Sequence, residues 1–315
     1  MTNAIAYARA CILGNPSDMY GGKCLSFTFG NYAEVDVENS EKIWIHGEEK
    51  SEDHLTYNGS NDLIKATVKH LCLHDKKFEI SYKSNIPKGF GLSGSSAIII
   101  AAIRALNLHL NLGLNRDEIA ELALHTEVDE LNIAAGFQDR YVISHEGVCY
   151  MDFRGKEYLR DAKIDGFGKV KKLSVNYIPF FLCFGSEPKS SAVIHNPLRE
   201  RFLKGGEDAT NIKEHMDKIA ELAEQGIKPL LKRDWKKIGE LMNENNRLRN
   251  QLCNYLKSDI HAMEYALACG AYGVKVSGSG GSVIVLCDDK NIEEVFRKVN
   301  KIYPCLRPEI AFGMN

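Results

Sequence analysis

The sequence predicts a mixed α and β protein, and three observations lead to that class. Short runs that alternate in polarity or are wholly apolar predict strands at 4–13, 24–29, 33–37, 42–46, 78–82 and 180–184. Longer stretches predict helices at 61–73, 211–231, 234–256 and 291–302, and the continuous apolar run 98–103 predicts the start of a buried helix. The two kinds of element alternate along 315 residues, which is enough chain for one large domain or two moderate ones.

The composition limits the classes of partner. A net charge of −2, from 40 basic and 42 acidic residues, gives no polyanion-binding signature and argues against nucleic acid as a partner. The nine cysteines form no Cys-x-x-Cys pair, and an odd number cannot all be bonded to one another. With no signal peptide in the sequence, we expect reduced thiols in a cytoplasmic protein. No apolar run reaches the roughly 20 residues that a membrane span needs.

The most informative stretch is the glycine- and serine-rich segment Pro87–Ala97, which runs directly into the apolar residues 98–103. Glycine lets the backbone turn sharply, and the N–H groups at the start of a helix attract phosphate through the positive end of the macrodipole. The adjacent hydroxyls of Ser95 and Ser96 add a possible oxygen ligand for Mg²⁺. This stretch therefore predicts a phosphate-binding loop.

Three other interpretations of the loop compete. Gly89-x-Gly91-x-x-Gly94 fits the dinucleotide fingerprint, but the position about 20 residues on, where a second strand should carry an acid, instead begins a helix after Asn115. A P-loop would need lysine where Ser95 stands, and the sequence contains no His-Arg-Asp or Asp-Phe-Gly of a protein kinase. A simple serine cap on an ordinary helix remains open from this stretch alone.

The order Pro87-x-x-x-Gly-Leu92, then Ser-Ser-Ala97 and an apolar helix, resembles the second motif of the GHMP kinases, the superfamily of galactokinase, homoserine kinase, mevalonate kinase and phosphomevalonate kinase. The superfamily usually has Gly-Leu-Gly-Ser-Ser-Ala, so this loop is one residue longer. The resemblance implies an α+β fold of two domains. A ribosomal-protein-S5-like N-terminal domain is expected at 1–165 and a ferredoxin-like C-terminal domain at 166–315.

The resemblance also implies ATP and Mg²⁺ as co-substrate and cofactor. The phosphates would be bound by the loop residues Gly91, Leu92, Ser93, Gly94, Ser95 and Ser96. The metal would be held by Ser96 and by Glu127, which lies twelve residues before Asp139, a spacing that suits the second metal ligand of the superfamily. Asp139, in Gly136-Phe-Gln-Asp, would orient or deprotonate the substrate hydroxyl. The alternative for Glu127 is a solvated helix face shared with Asp129.

Two residues near the N-terminus match the spacing of the first GHMP motif. Arg9 is followed five residues later by Gly14 and four residues after that by Asp18. The resemblance implies that Asp18 accepts hydrogen bonds from sugar hydroxyls and that Arg9 stabilises charge on the transferred phosphoryl group. The alternatives are an Asx-turn for Asp18 and a solvated strand-end charge for Arg9.

A third glycine-rich segment, Ser277–Ser282, separates two predicted strands. It contains more glycine than a tight hairpin needs, which predicts a close approach to another part of the backbone. The segment resembles the third GHMP motif, and Gly278, Ser279 and Gly280 are the expected substrate contacts.

Several of these segments look like the glucuronokinase branch of the superfamily, which phosphorylates the anomeric hydroxyl of D-glucuronate with ATP. A heptose or galactose-type kinase and a catalytically inactive sugar-binding regulator are the alternatives.

A uronic acid needs a cation for its carboxylate, and Arg140 is the first candidate, with Lys23 and Arg249 as weaker candidates. Arg140 could instead pair with a protein carboxylate such as Asp152. The partners expected are a sugar or sugar acid and ATP, with no membrane; a monomer and a homodimer both stay open.

Overall fold

Two antiparallel-rich sheets organise the chain in the computed structural model, which describes residues 1–157, 160–185 and 192–313, and the side chains of all of these except 192–196. The first sheet has the order β4-β3-β5-β2-β6-β7, with β1 paired to β2. Its strands are β1 (Thr2–Leu13), β2 (Lys23–Glu38), β3 (Trp44–His46), β4 (Ser51–Glu52), β5 (Glu79–Ser84), β6 (Val148–Asp152) and β7 (Lys169–Leu173).

One helix packs closely on the first sheet because the facing side chains are small. Four alternate residues of β1 are buried alanines, Ala4, Ala6, Ala8 and Ala10. Above them lies α2 (Gly94–Leu110), whose residues 97–103 are all buried. Beside it are α1 (Asp62–His70), α3 (Arg116–His125) and α4 (Phe137–His145), and a π-helical turn (Thr126–Glu130) continues α3; the short α5 (Ala162–Asp165) has no buried residue. The glycine- and serine-rich loop is therefore anchored on a rigid helix.

The second sheet has the order β11-β8-β10-β9. Its strands are β8 (Phe180–Phe184), β9 (Gly273–Val276), β10 (Ser282–Leu286) and β11 (Cys305–Leu306). The accompanying helices are α6 (Ala192–Leu203), α7 (Gly206–Leu231), α8 (Trp235–Asn250), α9 (Lys257–Ala268) and α10 (Ile292–Val299). Antiparallel β9 and β10 present the third glycine-rich segment at their connection.

The two sheets share an apolar core. Phe27 of β2 contacts Phe180 of β8 edge to face at 4.6 Å, and both belong to one buried cluster. Helix α7 crosses onto β1 and β2, where a Cβ on Gly226 would lie 2.3 Å from Leu13. This packing holds the motifs of the two halves in a fixed relation.

Most predicted elements are present, with two differences. The segments 24–29 and 33–37 form a single long strand, β2, because β1 pairs with it through an irregularity in register. The helix predicted at 234–256 ends at Asn250, and a separate helix, α9, follows. The domain boundary after residue 165 stays a prediction; β7 follows it in sequence and lies in the first sheet.

Candidate active site

The three motifs meet at one cavity of about 340 Å³. It is lined by every residue that the sequence singled out for the site except Gly280 and the two secondary carboxylate candidates, Lys23 and Arg249. A Cβ on Gly280 would lie 3.0 Å from the carboxylate of Asp259 on α9, so this glycine faces α9. The expectation of a substrate contact at Gly280 is therefore not supported by its placement, whereas Gly278 and Ser279 do line the cavity.

The glycine-rich loop and the third motif are in direct backbone contact. Gly91 has a φ of +66°, and a Cβ there would lie 2.3 Å from the carbonyl oxygen of Ser277. The Ser277 hydroxyl donates to the Gly91 carbonyl at 3.2 Å, and the Ser282 hydroxyl donates to the Phe90 carbonyl at 2.6 Å. The close backbone approach predicted from the glycine content is observed, and it ties the second half of the chain to the loop.

The loop serines point at carboxylates. Ser93 stands at the N-cap position of α2 with a φ of +60°, but its side chain makes no capping bond. Its hydroxyl donates instead to Asp139 Oδ2 at 2.6 Å. The hydroxyls of Ser95 and Ser96 donate to Glu127 Oε1 at 3.0 and 3.1 Å. The simple serine cap is therefore the wrong interpretation of Ser93.

Asp139 is held by a two-pronged ion pair with Arg9. Nε and Nη2 of Arg9 each donate to one carboxylate oxygen at 2.6 Å, and Nη1 donates to the Gly91 carbonyl at 2.7 Å. The amide of Gln138 adds a contact to Oδ1 at 3.0 Å. Burial alone would raise the pKa of Asp139, but the charges and hydrogen bonds of Arg9 hold that pKa well below its usual range. The solvated strand-end interpretation of Arg9 is wrong, because only 3% of the residue is exposed.

Glu127 is fully buried, so the solvated-face alternative for it is wrong. The π-helical turn Thr126–Glu130 carries it inward, while Asp129 on the same turn faces outward and contacts His125 at 2.8 Å. Two guanidinium nitrogens of Arg140 donate to Glu127 Oε2. Turns of this kind occur often at functional sites, and the sequence carried no recognised signal for this one.

The alternative interpretation of Arg140 was an ion pair with a protein carboxylate such as Asp152. Arg140 does form such an ion pair, but with Glu127. Asp152 pairs with Arg154 instead, at 2.6 Å. Arg140 Nη1 also donates to the Gly136 carbonyl at 2.8 Å. Its contact to a substrate carboxylate stays a prediction, one that this engagement of the guanidinium does not favour. The other two candidates also have partners: Lys23 pairs with Glu224, and Arg249 donates to the Asn15 side chain and the Gly278 carbonyl.

Arg249 and Gln138 are neighbours of the site with contacts that the sequence did not predict. Arg249 is fully buried, and its two hydrogen bonds join the first motif to the third. A charged residue on the apolar face of α8 was the signal that could have drawn attention to it. Gln138 precedes Asp139, and its amide orients that carboxylate.

Asp18 lies in a 3₁₀ turn, Ser17–Tyr20, and is buried at the cavity wall. Its Oδ2 accepts a hydrogen bond from the backbone N–H of Gln138 at 3.1 Å. A Cβ on Gly136 would lie 2.2 Å from that oxygen, so only glycine fits there. Burial raises the pKa of Asp18 to about 6, the charge of Asp139 also raises it, and the Gln138 N–H lowers it.

A pH dependence follows from the raised pKa of Asp18. The folded-state pKa lies above the usual value near 3.9, so the contribution of this group to stability is full below pH 4 and lost as pH rises through about 6. We expect the free energy of unfolding of Asp18→Asn, relative to the parent chain, to rise by on the order of 3 kcal/mol between pH 4 and pH 8. Chemical denaturation at both pH values measures this difference. An equal difference at the two pH values would contradict the assignment.

Comparison with known proteins identifies the family. Residues 62–147 match the family model described as the GHMP kinases N terminal domain, and residues 227–305 match GHMP kinases C terminal. The chain belongs to the GHMP kinase family. The predicted phosphotransferase is confirmed, and the family implies ATP as co-substrate.

The chain is similar over most of its length to curated sugar kinases. A probable glucuronokinase of Arabidopsis thaliana is 36% identical, with 93% of this chain and 87% of the relative covered. Glucuronokinase 1 of the same plant is 34% identical, with 93% and 88% covered. A D-glycero-alpha-D-manno-heptose 7-phosphate kinase of Campylobacter jejuni is 26% identical, with 84% and 80% covered.

Solved structures share the fold. The galactokinase of Lactococcus lactis complexed with galactose superposes with a TM-score of 0.80 at 16% identity, covering 98% of this chain and 93% of that one. A Methanococcus jannaschii mevalonate kinase gives a TM-score of 0.74 at 20% identity, covering 98% of both chains. The predicted α+β fold of two domains is confirmed. Within the described residues, no helix combines the length and apolar character required to cross a membrane.

Proposed function

We propose that this kinase transfers the terminal phosphoryl group of ATP to the anomeric hydroxyl of D-glucuronate. The observation that carries the proposal is the position of Asp139. It lies between the N-terminus of α2, reached through Ser93, and the segment Gly136–Gln138 that contacts Asp18. The likeness to glucuronokinases over 93% of the chain supports the choice of sugar.

The N-terminus of α2 supplies the phosphate site. The first bond inside this helix runs from the N–H of Ala97 to the Ser93 carbonyl. The N–H groups of Gly94, Ser95 and Ser96 therefore belong to the first turn, where the helix itself offers no acceptor. These three residues line the cavity at the positive end of the helix dipole, which favours the β- and γ-phosphates of ATP.

The residues present fit Mg²⁺. Ser96 and Glu127 provide a hydroxyl and a carboxylate in contact at the phosphate end of the cavity, and such hard oxygens, completed by phosphate oxygens and water, are the usual ligands of this ion. Bound there, the ion would neutralise charge on the phosphates during transfer. Arg140, which donates to Oε2 of Glu127, compensates and orients the carboxylate, as outer partners of metal ligands commonly do.

Asp139 acts mainly by orienting the acceptor hydroxyl. Its lowered pKa makes it a weak base, and its two oxygens already accept bonds from Arg9, Gln138 and Ser93. A carboxylate has about four acceptor positions, so an incoming hydroxyl replaces one donor, and the Ser93 hydroxyl is the most easily displaced because it can rotate away. The sugar proton then passes to Asp139 as the phosphoryl group arrives.

The proposed substrate is tested by initial rates with ATP and a panel of D-glucuronate, D-glucose, D-galactose and a heptose 7-phosphate, with the product identified by ³¹P NMR. We expect kcat/KM for glucuronate to exceed that for glucose by at least about tenfold, because a site that pairs with a carboxylate is left unsatisfied by the neutral sugar. The product is expected to be the 1-phosphate. A higher kcat/KM for glucose, galactose or the heptose phosphate would reject glucuronate as the substrate and leave the family assignment intact.

A further inference from the structure

Helix α8 holds the loop of the first motif by three hydrogen bonds. Asn245 and Arg249 lie one turn apart on the same face of this helix, and both are fully buried. The side chain of Asn245 accepts from the Gly14 N–H at 2.8 Å and donates to the Asn15 carbonyl at 3.2 Å. Arg249 Nη1 donates to Oδ1 of the Asn15 side chain at 2.9 Å. One helix therefore fixes both the backbone and the side chain of Asn15.

The bond from Arg249 decides how the side-chain amide of Asn15 is turned. A guanidinium has N–H donors and no acceptor, so the amide must meet it with its oxygen. The amide nitrogen, Nδ2, is left without a hydrogen-bond partner among the residues that the structure describes. Asn15 lines the active-site cavity, as does Asp18 three positions later in the same loop. The first motif therefore brings a free donor and a carboxylate acceptor to one cavity wall.

The second bond of Arg249 connects this wall with the reacting groups. Its Nη2 donates to the Gly278 carbonyl at 2.7 Å. A Cβ on Gly278 would lie 3.0 Å from Nη2 of Arg9, and this nitrogen donates to Asp139 Oδ2 at 2.6 Å. Through Gly278, Arg249 therefore sets the loop of Asn15 against the Arg9–Asp139 pair.

The charge of Arg249 is not explained by stability alone. Both of its hydrogen bonds go to neutral groups, and no carboxylate pairs with it in the part of the chain that is described. The ring of Tyr255 lies 5.6 Å from the guanidinium and offers it a weak attraction. Burying a charge without an opposite one costs free energy. A sugar acid bound at the Asn15 wall would bring such an opposite charge close to it.

We propose that Asn15 Nδ2 donates a hydrogen bond to an oxygen of the bound sugar, and that Arg249 is the positioning residue that turns the amide this way. Asn15 and Asp18 then recognise the sugar as a donor and an acceptor, while Asp139 orients the hydroxyl that is phosphorylated. The charged hydrogen bond on Oδ1 also polarises the amide and makes Nδ2 a stronger donor. The inference deepens the proposed function and rests on it for the presence of a sugar at this wall.

Asn15→Asp separates sugar binding from stability. The substitution keeps the shape of the side chain, gives Arg249 a carboxylate partner and removes the N–H donor. We expect KM for D-glucuronate to rise by about 10- to 100-fold and KM for ATP to change by less than about threefold, because a donor to the sugar becomes an acceptor. The midpoint of thermal unfolding should be no lower than that of the parent chain, since the buried cation gains an opposite charge.

Arg249→Met tests the positioning step. Without the guanidinium the amide can turn over, so we expect KM for glucuronate to rise by about 5- to 30-fold, again with little change in KM for ATP. In an Asn15→Ala background, which already lacks the amide, Arg249→Met should raise KM no further, because the two residues act as a unit. Arg247→Gln is the matched control, since Arg247 lies on the same helix, pairs with Glu244 at 2.7 Å and does not line the cavity. Its KM values should equal those of the parent chain.

The outcomes separate the inference from the proposed function. An unchanged KM for the sugar in folded Asn15→Asp, an equal rise of both KM values in Arg249→Met, or additive effects of Arg249→Met and Asn15→Ala would each overturn the inference and leave the function standing. A parent chain that prefers glucose or galactose would reject glucuronate as the substrate. A 10- to 100-fold rise in KM for that preferred sugar in Asn15→Asp would then still support the role of Asn15.

Discussion

Asp139→Asn is expected to lower turnover by about two to four orders of magnitude, the usual loss when a group that handles the substrate proton is removed. The amide keeps the size of the side chain but loses the charge that orients the acceptor hydroxyl and receives its proton. It also leaves Arg9, only 3% exposed, without its carboxylate partner. We therefore expect a loss of stability of about 3 kcal/mol or more, as when one partner of a buried ion pair is removed.

The two effects can be separated by measurement. Initial rates should be taken well below the midpoint of thermal unfolding, with calorimetry showing whether ATP and sugar still bind. Asp152→Asn is the matched control, because Asp152 pairs with exposed Arg154 and does not line the cavity. A folded Asp139→Asn variant with less than a tenfold loss of turnover would make Asp139 a structural residue only.

Glu127→Gln is expected to lower kcat at limiting Mg²⁺ by at least about 100-fold, with partial recovery as the Mg²⁺ concentration rises. The amide keeps an oxygen near Ser96 but removes the negative charge that the metal requires. Mg²⁺ binding in the presence of a non-hydrolysable ATP analogue, followed by calorimetry, should weaken in parallel. Asp129→Asn on the same turn is the control, since Asp129 faces outward toward His125.

The pairing of Glu127 with Arg140 allows a second check. Glu127→Gln alone removes the nearer carboxylate partner of the buried Arg140, which keeps Asp139 at 3.7 Å, and should destabilise the fold; adding Arg140→Met removes the buried cation and should restore part of the stability. Because the metal ligand is still missing, the double variant should stay inactive at limiting Mg²⁺. Recovery of activity together with stability would mean that Glu127 serves only the fold.

The local pattern was sufficient to predict the parts of the site that are contiguous in sequence. The loop from Gly91 to Ser96 had to begin a helix, because glycines and serines run directly into an apolar stretch. The capping box at Asn115 likewise follows from residues three apart, and the helix begins there as expected. Capping and periodicity are short-range properties, so they can be predicted from sequence alone.

Pairings between distant residues could not be predicted in this way. Arg140 and Glu127 are thirteen positions apart in the sequence. Whether the Arg140 guanidinium pairs with Glu127 or with Asp152 depends on the position of the π-helical turn relative to α4. The orientation of Gly280 toward α9 depends on a helix that the periodicity did not separate from α8. In both cases local preferences are weak and tertiary packing decides the conformation.

The sequence by itself determined the family, the phosphate loop and the set of charged residues that line one cavity, because each depends on residue types at fixed short spacings. Only the tertiary structure decided which charges neutralise each other. It pairs Arg9 with Asp139 and Arg140 with Glu127, since a buried charge is stable only beside an opposite one.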